Sequence, residues 1–277
     1  MLDQEFMRNA LLAGTFVALA CGVCGWFVVL RGQVFAGDAL SHVAFPGALA
    51  AAAAGLDERV GLFIATVAVA LAMGALGRGA VAFGGARRAG SLPVDDTAIG
   101  VIFTFILGLG LFFLSRFSVR SGGSAGIQAA HTLFGSIFGL GAGEARLAAV
   151  VGVGVVLAMV VIARPLLFAS VAPDVAGARG VPTRMLGVAF LALLGVVAAE
   201  ATQAVGALLL LGLLAVPAAA AHRLARGPAA GVALAAGFAV LATWAGLALA
   251  YAVPSLPPST AIVAVAVLMY SISTILT

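Results

Sequence analysis

Long apolar runs dominate this sequence and restrict the kind of fold it can adopt. Nine of them are close to the length that an α-helix needs to cross a bilayer, about 20 residues. They lie at about 10–30, 39–56, 60–78, 97–115, 146–163, 184–200, 202–221, 229–252 and 258–276. Apolar residues make up 64% of the chain and charged residues 9%, whereas soluble domains are about half apolar and a quarter charged. The runs therefore predict an all-α, polytopic membrane protein.

A shorter apolar segment, 129–143, lies between the fourth and fifth runs. Its length predicts a half-length or re-entrant helix, in addition to about eight to nine transmembrane helices. Gly135, Gly139 and Gly143 recur within it at every fourth position, a spacing that lets membrane helices approach closely. We expect one transmembrane domain over 1–277.

Arginine placement predicts how the helices are oriented, because basic connections tend to remain in the cytoplasm. The basic connections contain Arg78, Arg87 and Arg88; Arg164, Arg179 and Arg184; and Arg223 and Arg226. The Pro-rich connection 253–258 carries no charge and is expected outside, which puts the C-terminus inside. The side of the N-terminus stays open, because it depends on whether 129–143 spans. The basic residues thus have a topological explanation and do not indicate nucleic acid.

Two polar residues near the start of the second run carry the strongest functional signal. Asp38 and His42 are four residues apart, so on a helix they share one face. A carboxylate and an imidazole form a partial site for a divalent transition metal, and an incomplete ligand set suits transient binding. The alternative is that Asp38 caps the helix and His42 hydrogen-bonds within the bundle. Pro46 and Gly47 follow and are expected to distort the helix locally.

The remaining polar residues have simpler explanations. Glu200, between two predicted spans, is expected at the outer surface, with a role near an entrance as the alternative. His131 is expected to cap or border the short apolar segment, with a second metal ligand as the alternative. His222 is at a cytoplasmic helix end, where a positive group suits the helix dipole, and no metal role is expected. Cys21 and Cys24 are expected to pack as small apolar residues.

The connection 164–182 is longer than the others and contains apolar positions. Its stretch from Pro173 to Arg179 is compatible with a short helix between Pro and Gly breakers. Such a helix would dock a cytoplasmic partner, and an ordinary interfacial linker is an equal alternative. The chain has no Gly-rich phosphate loop followed by Lys-Ser/Thr, and no lysine at all. ATP hydrolysis by this chain is therefore not indicated.

Several short motifs resemble one family, the membrane permease subunits of bacterial ABC-type zinc, manganese and iron importers. The motifs extend in order from residue 6 to residue 218. They are Phe6-Met7-Arg8-Asn9-Ala10-Leu11, Val29-Leu30-Arg31, Gly37-Asp38-Ala39-Leu40-Ser41-His42 with Pro46-Gly47, Asp95-Asp96-Thr97-Ala98-Ile99-Gly100, His131-Thr132-Leu133-Phe134-Gly135-Ser136-Ile137, and Val205-Gly206-Ala207-Leu208-Leu209 with Pro217-Ala218.

The resemblance implies a type II importer-like homodimer in the bacterial inner membrane, with cytoplasmic ATPase subunits and an extracytoplasmic metal-binding protein. It implies that Asp38 and His42 are ligands on the metal pathway, and that no cofactor is bound permanently. The connection 164–182 becomes the coupling segment that contacts the ATPase through Pro173, Asp174, Ala176, Arg179 and Gly180. The family's frequent Asp-Pro-Glu is replaced here by Ala172-Pro173-Asp174, with Ala176 and Gly180 in register.

The histidine favours zinc as the transported ion, although manganese and iron are compatible with the same nitrogen and oxygen ligands. Three other functions remain alternatives. An ion-gradient-driven secondary metal transporter would need more buried charge than this chain has. A permease for a siderophore or vitamin gives no reason for the Asp38/His42 pair. A non-transporting membrane scaffold or sensor is the third.

Overall fold

The computed structural model describes residues 4–76, 96–121, 135, 137–207 and 210–276, which form a bundle of α-helices. Nine described helices of 15 residues or more lie where the nine apolar runs predict them. In chain order the helices are α1 (Glu5–Leu30), α2 (Val34–Ala54), α3 (Glu58–Leu76), α4 (Asp96–Ser121), α5 (Ala142–Val171), the short α6 (Pro173–Ala178), α7 (Thr183–Val205), α8 (Leu210–Leu224), α9 (Pro228–Ala252) and α10 (Pro258–Leu276).

Seven of these helices are long and apolar enough to cross a membrane: α1, α2, α3, α5, α7, α9 and α10. The other two long helices contain shorter apolar segments, Ile99–Ser115 in α4 and Leu210–Leu224 in α8. The predicted all-α, multi-pass fold is confirmed. Of the predicted short segment 129–143, residues 129–134 and 136 lie outside the described residues, including His131. The described remainder contains a 3-10 turn at Ile137–Gly139 and the start of α5 at Ala142.

Several helix ends differ from the sequence prediction, among them the C-terminal ends of α5 and α7. Helix α5 does not end at Arg164 but continues through Pro165 to Val171. A proline removes one backbone hydrogen bond, but Leu166 and Ala169 are buried in the core beyond it, so packing keeps the chain helical. Helix α7 continues past Glu200 to Val205. The residue that follows it, Gly206, has φ of +97°, a conformation that L side chains rarely adopt.

The predicted close packing of the glycine row holds at one end only. Gly135 has φ of +70°, and a Cβ added to it would lie 2.5 Å from the Gly206 backbone nitrogen. The two glycines therefore let the segment before α5 touch the end of α7. Gly143, in contrast, lies in α5 with nothing within 4 Å of an added Cβ. The prediction is confirmed for Gly135 and wrong for Gly143, because the row does not lie on one helix.

Contacts between helix ends define the two faces of the bundle. Asn9 Nδ2 donates to the Leu140 carbonyl (3.3 Å), which places the start of α1 beside the start of α5. Arg31 Nη1 donates to Ser170 Oγ (2.9 Å), which places the end of α1 beside the end of α5 and α6. The predicted cytoplasmic position of the arginine-bearing 164–182 connection would put the start of α1 at the outer face.

The position of α2 is set by close contact with α3. Lipid gives helices no hydrophobic reason to associate, so small residues that permit close packing hold them together. A Cβ added to Gly47 in α2 would lie 2.5 Å from Ala65 Cβ and 2.9 Å from the Gly61 carbonyl oxygen, both in α3. This packed side of α2 fixes the direction of its other side, which carries Asp38 and His42.

Candidate functional site

Asp38 and His42 lie on one face of α2, one turn apart. Helix α2 begins at Val34, not at residue 39, so Asp38 stands in its second turn and cannot be its N-cap. The Asp38 Oδ1 and His42 Nε2 atoms are 3.9 Å apart, and the two side chains are 33% and 21% exposed. This distance is too long for a hydrogen bond. The pair is therefore close enough to share an ion and is not locked together.

Aromatic residues border this open face. The His42 ring lies 5.5 Å from the Phe103 ring of α4, centroid to centroid, and Phe35 lies 6.3 Å from the same ring. Ser41 is buried, and its hydroxyl donates to the Asp38 carbonyl oxygen (2.6 Å). An apolar surround strengthens the attraction between an ion and the Asp38 carboxylate.

Without residues from elsewhere, the pair could supply only part of a metal site. Among the described residues, no three His, Cys, Asp or Glu side chains are grouped so that they could hold a metal ion. One carboxylate and one imidazole leave most coordination positions to water or to groups from another chain. Such a site can bind a divalent ion briefly and release it.

Glu200 lies where the sequence did not predict it. It was expected at the outer surface between two spans, but it is inside α7 and only 4% exposed. Arg59 Nη2, from the first turn of α3, donates to Glu200 Oε1 at 3.1 Å. Asp57 begins α3, its Oδ1 accepting from the Arg59 and Val60 backbone N–H groups at 2.8 Å and 3.2 Å. The ion pair thus ties the start of α3 to the end of α7 near the outer face.

The sequence contains a signal for this ion pair, but the predicted boundaries of the apolar runs did not reveal it. The predicted span ended at Glu200, which made an interfacial carboxylate the simplest explanation. A charge inside a membrane helix requires a partner, and Arg59 is at the start of a helix on the same face of the bundle. Because α7 continues to Val205, Glu200 lies inside the helix and requires such a partner.

The remaining polar residues contribute to packing. His222 Nε2 lies 2.9 Å from the Trp26 carbonyl oxygen, and the two rings are stacked with centroids 4.9 Å apart. These contacts join the end of α8 to α1. Cys21 and Cys24 are free and buried in the core, as the apolar interpretation predicted. Asp95 lies outside the described residues.

The segment between α5 and α7 contains the predicted short helix. Helix α6 covers Pro173–Ala178, and Arg179 caps it at its C-terminal end. Residues 164–171 belong to α5, so the connection itself is shorter than predicted. Ala176 is buried, whereas Asp174, Arg179 and Gly180 are exposed, and Gly180 turns the chain with φ of +80°. Val175, 51% exposed, adds an apolar group to this surface.

A bundle of membrane-length helices with a partly exposed carboxylate–imidazole pair and a short helix between two long ones has features expected of a transport permease. The chain belongs to the ABC 3 transport family, whose sequence model matches residues 3–277. It is a multi-pass permease subunit of an ABC-type metal importer in the bacterial inner membrane. It is not itself an enzyme, since ATP hydrolysis takes place in a separate subunit.

Similar proteins extend over most of the chain. The manganese transport system membrane protein MntC of Halalkalibacterium halodurans is 31% identical over 247 residues, covering 89% of this chain and 79% of that protein. The manganese import system permease protein ScaB of Streptococcus parasanguinis is 29% identical, covering 89% of this chain and 82% of that protein. The solved structure of PsaBC from Streptococcus pneumoniae in complex with Fab has a TM-score of 0.81 at 27% identity, covering 98% of this chain and 92% of that chain.

Removing one member of the Arg59–Glu200 pair is expected to destabilise the bundle. Glu200→Ala leaves the Arg59 guanidinium, whose side chain is 19% exposed, without its counter-ion; breaking a fully buried pair costs about 3–5 kcal/mol, and the partial exposure of Arg59 lowers this cost. The thermal unfolding midpoint of the purified protein in detergent measures the loss. The Arg59→Ala/Glu200→Ala double variant is expected to lose less than the sum of the two single variants. Additive losses would show that the two side chains do not act as a pair.

Proposed function

We propose that this chain is the permease of an ATP-driven divalent metal importer that carries manganese in preference to zinc. The observation that supports it is the Asp38/His42 pair on the open face of α2, with Oδ1 and Nε2 3.9 Å apart. The carboxylate of Asp38 suits manganese, and the imidazole of His42 adds a nitrogen ligand that is also compatible with zinc. The two side chains are proposed to bind the ion in transit.

The choice of manganese comes from the relatives. MntC and ScaB are both named for manganese transport or import. The sequence favours zinc only through its histidine. An imidazole together with a carboxylate is compatible with both zinc and manganese. Zinc remains the second candidate, and competition between the two ions in uptake distinguishes them.

A second copy of the chain would complete the ligand set. In a homodimer with two-fold symmetry, the same surface of each subunit contacts the other subunit. Phe103 of α4 covers part of the open side of α2, which leaves the partly exposed Asp38 and His42 as the surface that a second copy could approach. Two copies meeting there would present two carboxylates and two imidazoles to one ion near the dimer axis.

The coupling to ATP is proposed to pass through α6. A cytoplasmic ATPase subunit would receive the segment from Pro173 to Gly180, with Ala176 buried against the permease. Asp174 and Arg179 supply opposite charges on the exposed side, and Val175 supplies an apolar contact. ATP binding would close the two ATPase subunits and move both α6 helices, which would open the bundle to one face or the other. An extracytoplasmic binding protein would deliver the ion.

Asp38→Ala and His42→Ala are each expected to abolish metal uptake, because either change leaves one ligand in each copy. The measurement is ATP-dependent manganese uptake into proteoliposomes that contain the permease, its ATPase and its binding protein. The assembled complex should remain intact by size-exclusion chromatography, since both side chains lie on the open face.

The matched control is Glu5→Ala, which removes an exposed carboxylate at the outer end of α1. Its uptake should equal that of the unaltered chain. Uptake at the unaltered rate by either Asp38→Ala or His42→Ala would exclude the pair from the metal pathway.

Val175→Asp is expected to weaken binding of the ATPase subunit. The change puts a charge at an apolar position on the proposed contact surface, next to Asp174, so desolvation and like-charge repulsion both oppose docking. Co-purification of the ATPase with the permease should fall about tenfold or more, as expected for a central contact that costs over 1.4 kcal/mol.

Ala229→Asp serves as the control, because Ala229 is exposed at the cytoplasmic start of α9, where a carboxylate suits the helix dipole. It should leave co-purification unchanged. Equal retention of the ATPase by both variants would remove α6 from the docking surface.

A further inference from the structure

The turn between α1 and α2 is short and closed by backbone hydrogen bonds. The Gln33 N–H donates to the Val28 carbonyl (2.9 Å), and the Gly32 N–H donates to the Val29 carbonyl (3.1 Å). Gly32 has φ of +64°, the left-handed conformation of a Schellman motif. Helix α2 begins directly after Gln33. The start of α2 is therefore fixed to the end of α1.

Arg31 is the centre of a buried polar cluster at this turn. Its Nε donates to Gln33 Oε1 (3.1 Å), and its Nη1 donates to Ser170 Oγ (2.9 Å) near the end of α5. Its Cζ lies 5.5 Å from the centroid of the Phe190 ring in α7. One side chain thus contacts the helix that precedes α6, the helix that follows α6, and the residue that starts α2.

The C-terminal end of α1 favours a positive group, but it does not replace a carboxylate partner for a buried charge. Arg31 is 6% exposed, and no carboxylate of the described residues lies within salt-bridge distance of it. Burial lowers the pKa of Arg31 to about 10, so the guanidinium keeps its proton at neutral pH. A buried charge held only by neutral groups is unfavourable compared with an apolar side chain.

The groups around Arg31 match the shape and the donor positions of a guanidinium. The Ser170 hydroxyl donates its own proton to the Leu166 carbonyl (2.6 Å), which leaves its oxygen free to accept from Arg31. A Cβ added to Gly187 would be in ordinary van der Waals contact with Arg31 Nη2 (3.5 Å), so the guanidinium packs closely along this part of α7. A lysine at position 31 would keep the charge, but a single ammonium cannot hold Gln33 and Ser170 with this fixed geometry.

We propose that Arg31 is a positioning residue that carries movement of the coupling segment to α2, the helix that bears Asp38 and His42. The inference rests on the proposed function, since it requires that the ATPase moves α6. Ser170 lies three residues before Pro173, the first residue of α6, and Gln33 lies five residues before Asp38. A displacement at α6 would reach the metal ligands through two hydrogen bonds of one guanidinium.

Arg31→Lys tests this in the complete transporter. Manganese uptake and ATP hydrolysis are measured in the same proteoliposomes, with the ATPase and binding protein present. We expect ATP hydrolysis close to that of the unaltered complex, while the ATP consumed per manganese ion rises about fivefold or more, the lower range of typical allosteric couplings. General damage to the fold would instead lower both rates together and overturn the proposal.

Variants of Ser170 provide an independent test that leaves Arg31 in place. Ser170→Ala removes the acceptor and should raise the ATP consumed per ion, whereas Ser170→Thr keeps the hydroxyl and should stay near the unaltered ratio. The Arg31→Lys/Ser170→Ala double variant should be no worse than Arg31→Lys alone, because both changes break one connection. An unchanged ratio in Ser170→Ala would overturn the proposal even if Arg31→Lys did not assemble.

Arg226→Lys is the matched control, since Arg226 is exposed at the same cytoplasmic face. The ATP consumed per manganese ion should not change in Arg226→Lys. A rise in this quantity equal to that of Arg31→Lys would overturn the inference. If the unaltered complex shows no ATP-driven uptake, the proposed function fails and the inference falls with it. If that complex transports normally and Arg31→Lys keeps its ratio, only the role of Arg31 is contradicted.

Discussion

A bilayer does not solvate charge. The free-energy cost of placing a charge there restricts where the chain can carry its few polar side chains. Glu200 inside α7 is paired with Arg59 at 3.1 Å. Arg31, at the cytoplasmic end of α1, is enclosed by neutral partners. Asp38 and His42 differ from both, because their 3.9 Å separation leaves two partly exposed side chains on an open helix face. The contrast identifies the pair that remains available to an ion.

Helix α2 connects the features on which the proposed function depends. One side packs on α3 through Gly47 and Gly61, and α3 is in turn tied to α7 by the Arg59–Glu200 pair. The opposite side carries Asp38 and His42. Its first turn is fixed to α1 and, through Arg31, to the end of α5. A movement imposed on α6 would therefore act on the start of α2, while the outer end of the bundle stays joined by the ion pair.

The apolar runs predicted the fold well, because in lipid the length of a helix and its hydropathy are set by the same bilayer. They failed at helix ends that depend on tertiary packing. Pro165 looked like a terminator, but Leu166 and Ala169 are buried beyond it. The break after α7 is at Gly206, where contact with Gly135 determines the turn. Neither contact can be deduced from local composition.

The candidate site was predicted only in part for the same reason. The shared face of Asp38 and His42 follows from helical periodicity, which is a local property. The start of α2 at Val34, which excludes a capping role for Asp38, depends on the turn at Gly32. The partnership of Glu200 with Arg59 joins residues that are 141 positions apart. Which residues of a second copy approach the pair is likewise a question of assembly that one chain does not specify.

The most direct test asks whether the ion in transit touches His42. The permease is produced with isotopically labelled histidine, assembled with unlabelled partners in nanodiscs, and loaded with manganese under conditions that stall ATP hydrolysis. Pulsed electron paramagnetic resonance then detects any labelled nitrogen bound to the manganese. The chain contains three histidines, so His42→Ala is the necessary comparison. We expect a nitrogen coupling in the unaltered complex that is absent from His42→Ala. Bound manganese without this coupling, or a coupling that persists in His42→Ala, would contradict the proposed metal site.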